Sequence, residues 1–338
     1  MGSTRTRAAA ILRARVTSTE LALVVLSALL HAFWSASIKG SRSPLGFNLL
    51  QIAPPALAAC ALPLWVSPDE IPASVWGMVA ATGLFHGCYF YWLARALETG
   101  ALSVVYPIAR SAPAFLPIAA VPLLGESLTL RGALGIAVVV AGMWLVQASE
   151  LQASGASAQR AAGERRSRGS RSRWLPTPRP RARWLETPGV RFALLTLVAS
   201  IGYSLCDKAA MADLGAAPWR SPVPAAAVYY VMLSVSGGIV FAPLAARRVS
   251  RAELAALARS EWPRALTAAL VSFASYGLIL QALRTAPVSY VVAARQTSVL
   301  FAVAIAAVRW REQPSPLRVV GALATVVGVA LVAQGRQP

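Results

Sequence analysis

The sequence predicts an all-α integral membrane protein, with ten transmembrane helices arranged as two five-helix inverted-topology repeats. Three observations carry that prediction. The chain of 338 residues is 57% hydrophobic and only 13% charged, with a mean hydropathy of +0.57, whereas a soluble domain carries about 25% charged residues. Its apolar residues gather into ten stretches, each near the roughly 20 residues that a membrane helix needs. The halves on either side of a basic segment also repeat one another. The first observation alone excludes an ordinary soluble enzyme, and it excludes a disordered chain, which needs low hydrophobicity.

Taken in order, residues 1–19 form a basic tail. Arg5, Arg7, Arg13 and Arg15 precede an apolar run in the manner of a signal peptide. The run 21–38 is too long for a signal core, however, and it holds His31, Trp34 and Lys39 at its end without a small-residue cleavage site, so it reads as the first span. Met1-Gly2-Ser3-Thr4-Arg5-Thr6 fits a myristoylation pattern, but an acyl anchor adds nothing to a chain that crosses the membrane many times. The spans are 20–38, 45–66, 72–95, 102–124 and 130–148, then 190–211, 222–245, 263–284, 288–308 and 316–334. Several begin or end at proline or at a charge. Residues 149–189 are a linker with nine arginines between 160 and 183, together with Pro176, Pro178 and Pro180, a composition that cannot bury a core. Residues 335–338 are a short C-terminal tail.

The net charge of +19 comes from 32 basic residues, of which only Lys39 and Lys208 are lysines. The charge sits in tails and loops, where it orients membrane spans, and this reading displaces nucleic-acid binding. Cys60, Cys88 and Cys206 fall in apolar stretches with neither metal-ligand nor disulfide-framework spacing. No zinc helix, nucleophile elbow or phosphate loop is present, so the sequence predicts no enzyme, no cofactor and no metal.

The repeat is visible residue by residue. An offset of 186 (from 96 to 282) lays Ala96-Leu97-Glu98-Thr99 on Ala282-Leu283-Arg284-Thr285, and pairs Ser103 with Ser289, Glu126 with Glu312, Gly135 with Gly321 and Gly142 with Gly328. Arg110 and Arg295 match with a one-residue slip, and the two lysines occupy one repeat position. Five is odd, so the second half enters the membrane upside down, as in secondary transporters whose site lies at the repeat interface near the midplane.

Ala96-Leu97-Glu98-Thr99-Gly100-Ala101-Leu102-Ser103-Val104-Val105-Tyr106-Pro107-Ile108-Ala109-Arg110, then Leu124-Gly125-Glu126-Ser127-Leu128 with Gly132, Gly135 and Gly142, resembles the EamA-type repeat of the drug/metabolite transporter superfamily. Ala286-Pro287-Val288-Ser289-Tyr290-Val291-Val292-Ala293-Ala294-Arg295 looks like the second copy, although Arg309-Trp310-Arg311-Glu312 departs from the usual Leu-Gly-Glu. The resemblance implies ten helices, a central cavity and transport of small metabolites, often export. In the related small multidrug resistance proteins an acidic proton-coupling residue lies eight positions before a lysine. Here those positions are His31 and Ser200, which leaves His31, able to titrate near neutral pH, as the candidate substitute.

Ionisable side chains within spans usually face a cavity or a partner. Arg110 and Arg295 are the main candidates for substrate binding, because guanidinium offers a bidentate fork to carboxylate or phosphate. Tyr106 shares a helix face with Arg110, and Tyr290 and Gln296 are the counterparts in the second copy. Trp34 and Tyr203, each five residues before a lysine, are candidate cavity walls. His31, Lys39 and Lys208 are candidates for coupling or gating. Asp207 need not pair with Lys208, since adjacent helical residues do not face each other. Four prolines in 102–124 predict a kinked, centrally packed helix. Tyr89, Phe90, Tyr91 and Trp92, with His86 a turn earlier, read as packing, and Gly83 with Gly87 as a close helix contact. Glu126 and Glu312 read as loop caps.

The expected function is a secondary transporter, in the direction of export, of a small metabolite such as an amino acid, resident in the bacterial cytoplasmic membrane. The alternatives are a carrier or flippase of phosphorylated or lipid-linked substrates, and a scaffold or sensor that moves nothing. The partners are a small-molecule substrate and the bilayer, with a coupling proton or ion and a homodimer left open. The family expects both termini in the cytoplasm, while Arg247, Arg248, Arg251, Arg309, Arg311 and Arg318, with the linker arginines, orient the second half the other way.

Overall fold

The structure, a computed structural model, describes residues 17–167, 188–309 and 315–335, and the side chains there apart from those at 39, 102, 103, 150–167, 306 and 309. Residues 1–16 of the expected N-terminal tail, the linker residues 168–187, residues 336–338 and Glu312 lie outside the described residues, whereas residues 18–19 of that tail already belong to the first helix. The elements are helices α1 Ser18–Lys39, α2 Pro44–Leu50, α3 Ala53–Ala61, α4 Ala73–Thr99, α5 Leu102–Ala109, α6 Ala112–Leu124 and α7 Leu130–Ser167 in the first half. The second half holds α8 Pro188–Ala216, α9 Ala225–Ala246, α10 Arg251–Leu283, α11 Val288–Ala294, α12 Ser298–Arg309 and α13 Pro316–Gln334. No strand occurs among the described residues.

Nine segments among them are long and apolar enough to cross a membrane, and they coincide with nine of the expected spans. The exception is 72–95. It forms the 27-residue helix α4, which is long enough, but its His86, tyrosines, Trp92, Arg95 and Glu98 make it less apolar than the others. Helix α7 runs past the expected end at 148 into the linker as far as Ser167. Residues 149–167 are rich in alanine, serine and arginine and lack proline, so no proline stops the helix, although Gly155 and Gly163 do not favour it.

Local chemistry sets the ends. Thr17 opens α1 with a reciprocal capping box: its hydroxyl accepts from the Glu20 N–H at 3.2 Å, and its own N–H donates to Glu20 at 2.5 Å. Gly125 closes α6 at φ 67°, a left-handed conformation that suits a residue without Cβ. Three expected spans are broken. The second turns at Gln51–Ile52. The fourth breaks between α5 and α6 at Arg110–Ser111, where Pro113 has no N–H to continue the ladder and the Ser111 hydroxyl donates back to the Pro107 carbonyl at 2.5 Å. The ninth relaxes into a 3₁₀ turn at Arg295–Thr297. The two central breaks thus fall at the matched arginines.

Glycines draw the two halves together. A Cβ on Gly142 would stand 2.6 Å from the Gly321 carbonyl oxygen, and one on Gly321 as close to that of Gly142; Gly135 and Gly328 stand in the same relation at 2.7 Å. These contacts make α7 and α13 antiparallel, and each glycine meets the repeat counterpart of the other glycine on its own helix. Gly83 and Gly87 bring α4 against Ser236, Gly237 and Val240 of α9, the close approach their spacing predicts.

Two carboxylates fasten loops. Glu126 is buried and accepts from the Val288 N–H, from the Ser289 N–H at 3.3 Å and from the Ser289 hydroxyl at 2.7 Å, capping α11 from the opposite half. Glu126→Gln leaves one oxygen where two accept and turns an amide toward donors, so thermal unfolding in detergent should show a loss of about 1–3 kcal/mol. A variant as stable as the parent would remove the cap from the account. Glu70, in the α3–α4 connection, accepts from the N–H groups of Arg220 at 2.9 Å and Ser221 at 3.0 Å in the α8–α9 connection. The Arg220 N–H first, then those of Ser67 and Ser221 and the Arg220 charge, hold the Glu70 carboxyl below the usual carboxylate range. A lowered folded-state pKa stabilises above the unfolded value and stops doing so as pH falls through the folded one. The stability gap between the parent and Glu70→Ala should therefore be open at neutral pH and close in acid. A gap that widened in acid would contradict this.

Candidate functional site

A cavity of about 240 Å³ opens between the halves, walled by α1, the α2–α3 turn, α4 and α8–α10, and by the breaks at Arg110 and Arg295. The helix breaks explain why both guanidinium groups reach it, since each arginine sits where a transmembrane segment loses its regular turn. Arg110 donates through Nη1 to the Tyr106 hydroxyl at 2.9 Å, with its guanidinium carbon 5.5 Å from that ring's centre. Arg295 lies 3.3 Å through Nη2 from Nδ1 of His31 and 5.1 Å above the Tyr276 ring, and its Nε is buried without a partner. Among the described residues neither arginine has a carboxylate within ion-pair distance. Two half-buried cations without a carboxylate partner among the described residues are costly, and an anion entering the cavity relieves that cost.

The sequence candidates divide. His31, Trp34, Arg110, Tyr203, Arg295 and Gln296 line the cavity. His31 stacks on Trp34 at 5.2 Å. Gln296 donates to the Val292 carbonyl at 3.3 Å and keeps a buried Oε1 without a partner. Tyr106 stands behind Arg110 and holds it. Tyr290 departs from its expected place: it is 1% exposed, its hydroxyl accepts from the Thr129 N–H at 3.3 Å, and its ring fills the space over Gly132. It packs α11 against α7 and is not a wall of the cavity. Lys208 also lies away from the wall, donating to the Leu283 carbonyl at 2.8 Å and so tying α8 to the end of α10. Lys39 ends α1, and its side chain is outside the description.

The residues that sequence reasoning missed lie on the cavity wall beside these. Asp207 is fully buried and accepts from the hydroxyls of Thr82 at 2.7 Å, Tyr229 at 3.0 Å and Tyr276 at 2.5 Å. His86 stacks on Tyr203 at 4.0 Å and meets the edge of Tyr276 at 5.5 Å. With Tyr89 and Phe90, it belongs to the wall and not only to packing. The signal was present: Asp207 is a charged residue inside an apolar run. Neighbours on a helix point about 100° apart, so the interest of Lys208 hid the residue that actually faces inward.

Comparison with known proteins supports the architecture. A segment of 82 residues, 24% of this chain, is 35% identical to a protein of Sinorhizobium sp named an uncharacterized transporter in the cobO 3' region, and covers 58% of that protein's length. A solved structure titled only as the crystal structure of a protein superposes with a TM-score of 0.61 over 95% of this chain and 98% of its own, at 15% identity, which is a likeness of fold. The profile of the EamA-like transporter family matches residues 18–148 and 218–334, leaving α8 between the two matched regions. With most of its length matched in two successive regions, this integral membrane chain belongs to the EamA-like transporter family.

Proposed function

We propose that the chain is a secondary transporter of a small anionic or zwitterionic metabolite, such as an amino acid, that carries its substrate's negative group between Arg110 and Arg295. The observation that carries this reading is the pair of guanidinium groups, facing one cavity and lacking a carboxylate partner among the described residues. The movement is alternating access between two inverted five-helix halves, with α4 as the tenth crossing and residues 20–148 and 190–334 as the halves. The antiparallel glycine seam of α7 with α13 and the matched breaks at the two arginines support it. Discontinuous helices meeting at mid-membrane are the usual way such carriers build a site. A scaffold that moves nothing would have a closed, dry interface there, and the cavity argues against it. Export from the bacterial cytoplasm, downhill from a high internal concentration, is the direction the resemblance favours.

A thermal-stability screen of the purified protein tests the substrate class, using amino acids, sugar phosphates, nucleosides and hydrophobic cations. A ligand at 100 times its dissociation constant adds about 2.7 kcal/mol. Stabilisation by carboxylates or phosphates is expected. Stabilisation by hydrophobic cations alone would overturn the anion site, and hits confined to phosphorylated compounds would favour the phosphate carrier.

A further inference from the structure

We propose that Asp207 is a proton-binding site on the cavity wall, and that its proton and the substrate anion bind cooperatively. The second half rests on the anion-site reading above; the first stands on the surroundings of Asp207 alone. Asp207 is fully buried, yet among the described residues it has no cation within ion-pair distance. Lys208, the next residue, spends its ammonium group on the Leu283 carbonyl. A buried carboxylate in that position relieves its desolvation either by hydrogen bonds or by taking a proton.

The kind of donor decides which of these is open to it. Backbone N–H groups or a guanidinium can only donate, and they would lock the carboxylate in its charged form. All three donors to Asp207 are hydroxyls: Thr82 and Tyr229 on Oδ1, Tyr276 on Oδ2. A hydroxyl donates or accepts by rotating its hydrogen. A proton arriving on Oδ2 finds an acceptor when the Tyr276 oxygen turns from donor to acceptor, with the Tyr276 O–H released toward the cavity that this residue lines. The network therefore serves both protonation states of the same geometry. It also spans the two halves, since Thr82 belongs to α4 and Tyr229 and Tyr276 to α9 and α10.

The groups facing Asp207 complete the local charge. They are His86 with Thr82 on α4, Tyr203 and Cys206 on its own helix, Tyr229 on α9 and Tyr276 on α10. Arg295 rests over the Tyr276 ring. Among the described residues, the wall carries two guanidinium groups and one carboxylate. Protonating Asp207 removes the only carboxylate charge among the described residues that line the cavity, and so strengthens the pull on an anion. By reciprocity, the anion raises the affinity of Asp207 for a proton by the same factor. The two then cross together as a neutral pair, and export by this carrier is an overflow that releases a proton with each anion. Asp207 lies on α8, outside both family-matched regions, so the family match assigns it nothing.

The test has two readouts on the full-length protein and on Asp207→Asn, which keeps the side chain's size and can bond to the same hydroxyls. Infrared difference spectra between mildly alkaline and mildly acid buffer should show a carboxylic C=O band that grows as pH falls and is missing from the variant. Absence of any band removed by Asp207→Asn overturns the proton site, whatever the binding results. Calorimetric binding of benzenesulfonate, an aromatic monoanion that stays ionised over this range, should tighten by roughly tenfold or more toward low pH. Asp207→Asn should bind tightly with little pH dependence, and His31→Gln should keep the dependence of the parent. A pH dependence that survives Asp207→Asn and vanishes in His31→Gln would overturn the cooperative half. If benzenesulfonate binds at no pH, the anion-site reading and the cooperative half both fall, and the infrared arm decides the proton site by itself.

Discussion

Arg295→Ala and Arg110→Ala each weaken binding of the carried anion by about 2 kcal/mol or more, roughly 30-fold upward, because each removes one member of a half-buried charge pair that forms only when the anion is present. Lysine at either position restores the charge without the planar fork and recovers only part of the affinity. The same variants should leave the ligand-free protein as stable as the parent, or more so. Arg295 has a buried Nε without a partner, and no carboxylate offsets its charge among the described residues, so deleting it removes a desolvated cation. This opposition separates a binding role from a structural one. An arginine that only held helices together would lose stability on truncation and change affinity little. Isothermal binding of the best ligand of the stability screen, measured beside ligand-free melting temperatures, reads both quantities. Loss of stability with unchanged affinity would assign Arg295 to the framework.

Gly142→Leu should cost about 3 kcal/mol or more and abolish well-folded protein in detergent. Even a Cβ at Gly142 would sit 2.6 Å from the Gly321 carbonyl oxygen and 2.7 Å from the Thr325 nitrogen, and both are backbone atoms that cannot swing aside. Overpacking of a well-filled contact typically costs 1–3 kcal/mol, and here a whole isobutyl group must be displaced between two helix backbones. Gly321→Leu should behave alike, because the contact is reciprocal. Gly77→Ala is the control. Nothing lies within 4 Å of its Cβ position, and it lies within a helix, where alanine is favoured over glycine by up to about 1 kcal/mol. Melting temperatures for the three variants check the seam. A Gly142→Leu protein as stable as the parent would mean that α7 and α13 do not meet there.

What the sequence reveals of this molecule follows from what a linear pattern encodes. Apolar runs marked all ten expected spans, most of them close to the helices observed, because the bilayer demands one length of apolar helix wherever it is crossed; the span expected from 263 belongs to a helix that already begins at Arg251. Hydropathy rated α4 poorly because that helix gives its polar and aromatic residues, His86 and Tyr89 among them, to the cavity. Self-similarity singled out Arg110 and Arg295, and four prolines foretold the break beside the first of them. No proline marks the break at Arg295, which is a 3₁₀ turn at the residue matched to Arg110. Direction around a helix was harder to read. Tyr290 was expected in the cavity by its likeness to Tyr106, yet it faces Gly132 on α7, and only the packing of the two halves decides which side of α11 meets the cavity. Asp207 and Lys208 are one residue apart and point to different neighbours, one to hydroxyls on three other helices and one to a backbone carbonyl. The partners of Asp207 come from residues 82, 229 and 276, and no local pattern joins positions so far apart in the chain.

The central claim is that this cavity carries an anion across the membrane through Arg110 and Arg295. Counterflow in proteoliposomes tests it most directly, with the best ligand of the stability screen loaded inside and its labelled form outside. The account predicts labelled uptake that depends on internal ligand and is lost in Arg110→Ala and Arg295→Ala, while Gly77→Ala exchanges like the parent. Tight binding without exchange, or exchange at the parental rate in both arginine variants, would contradict it.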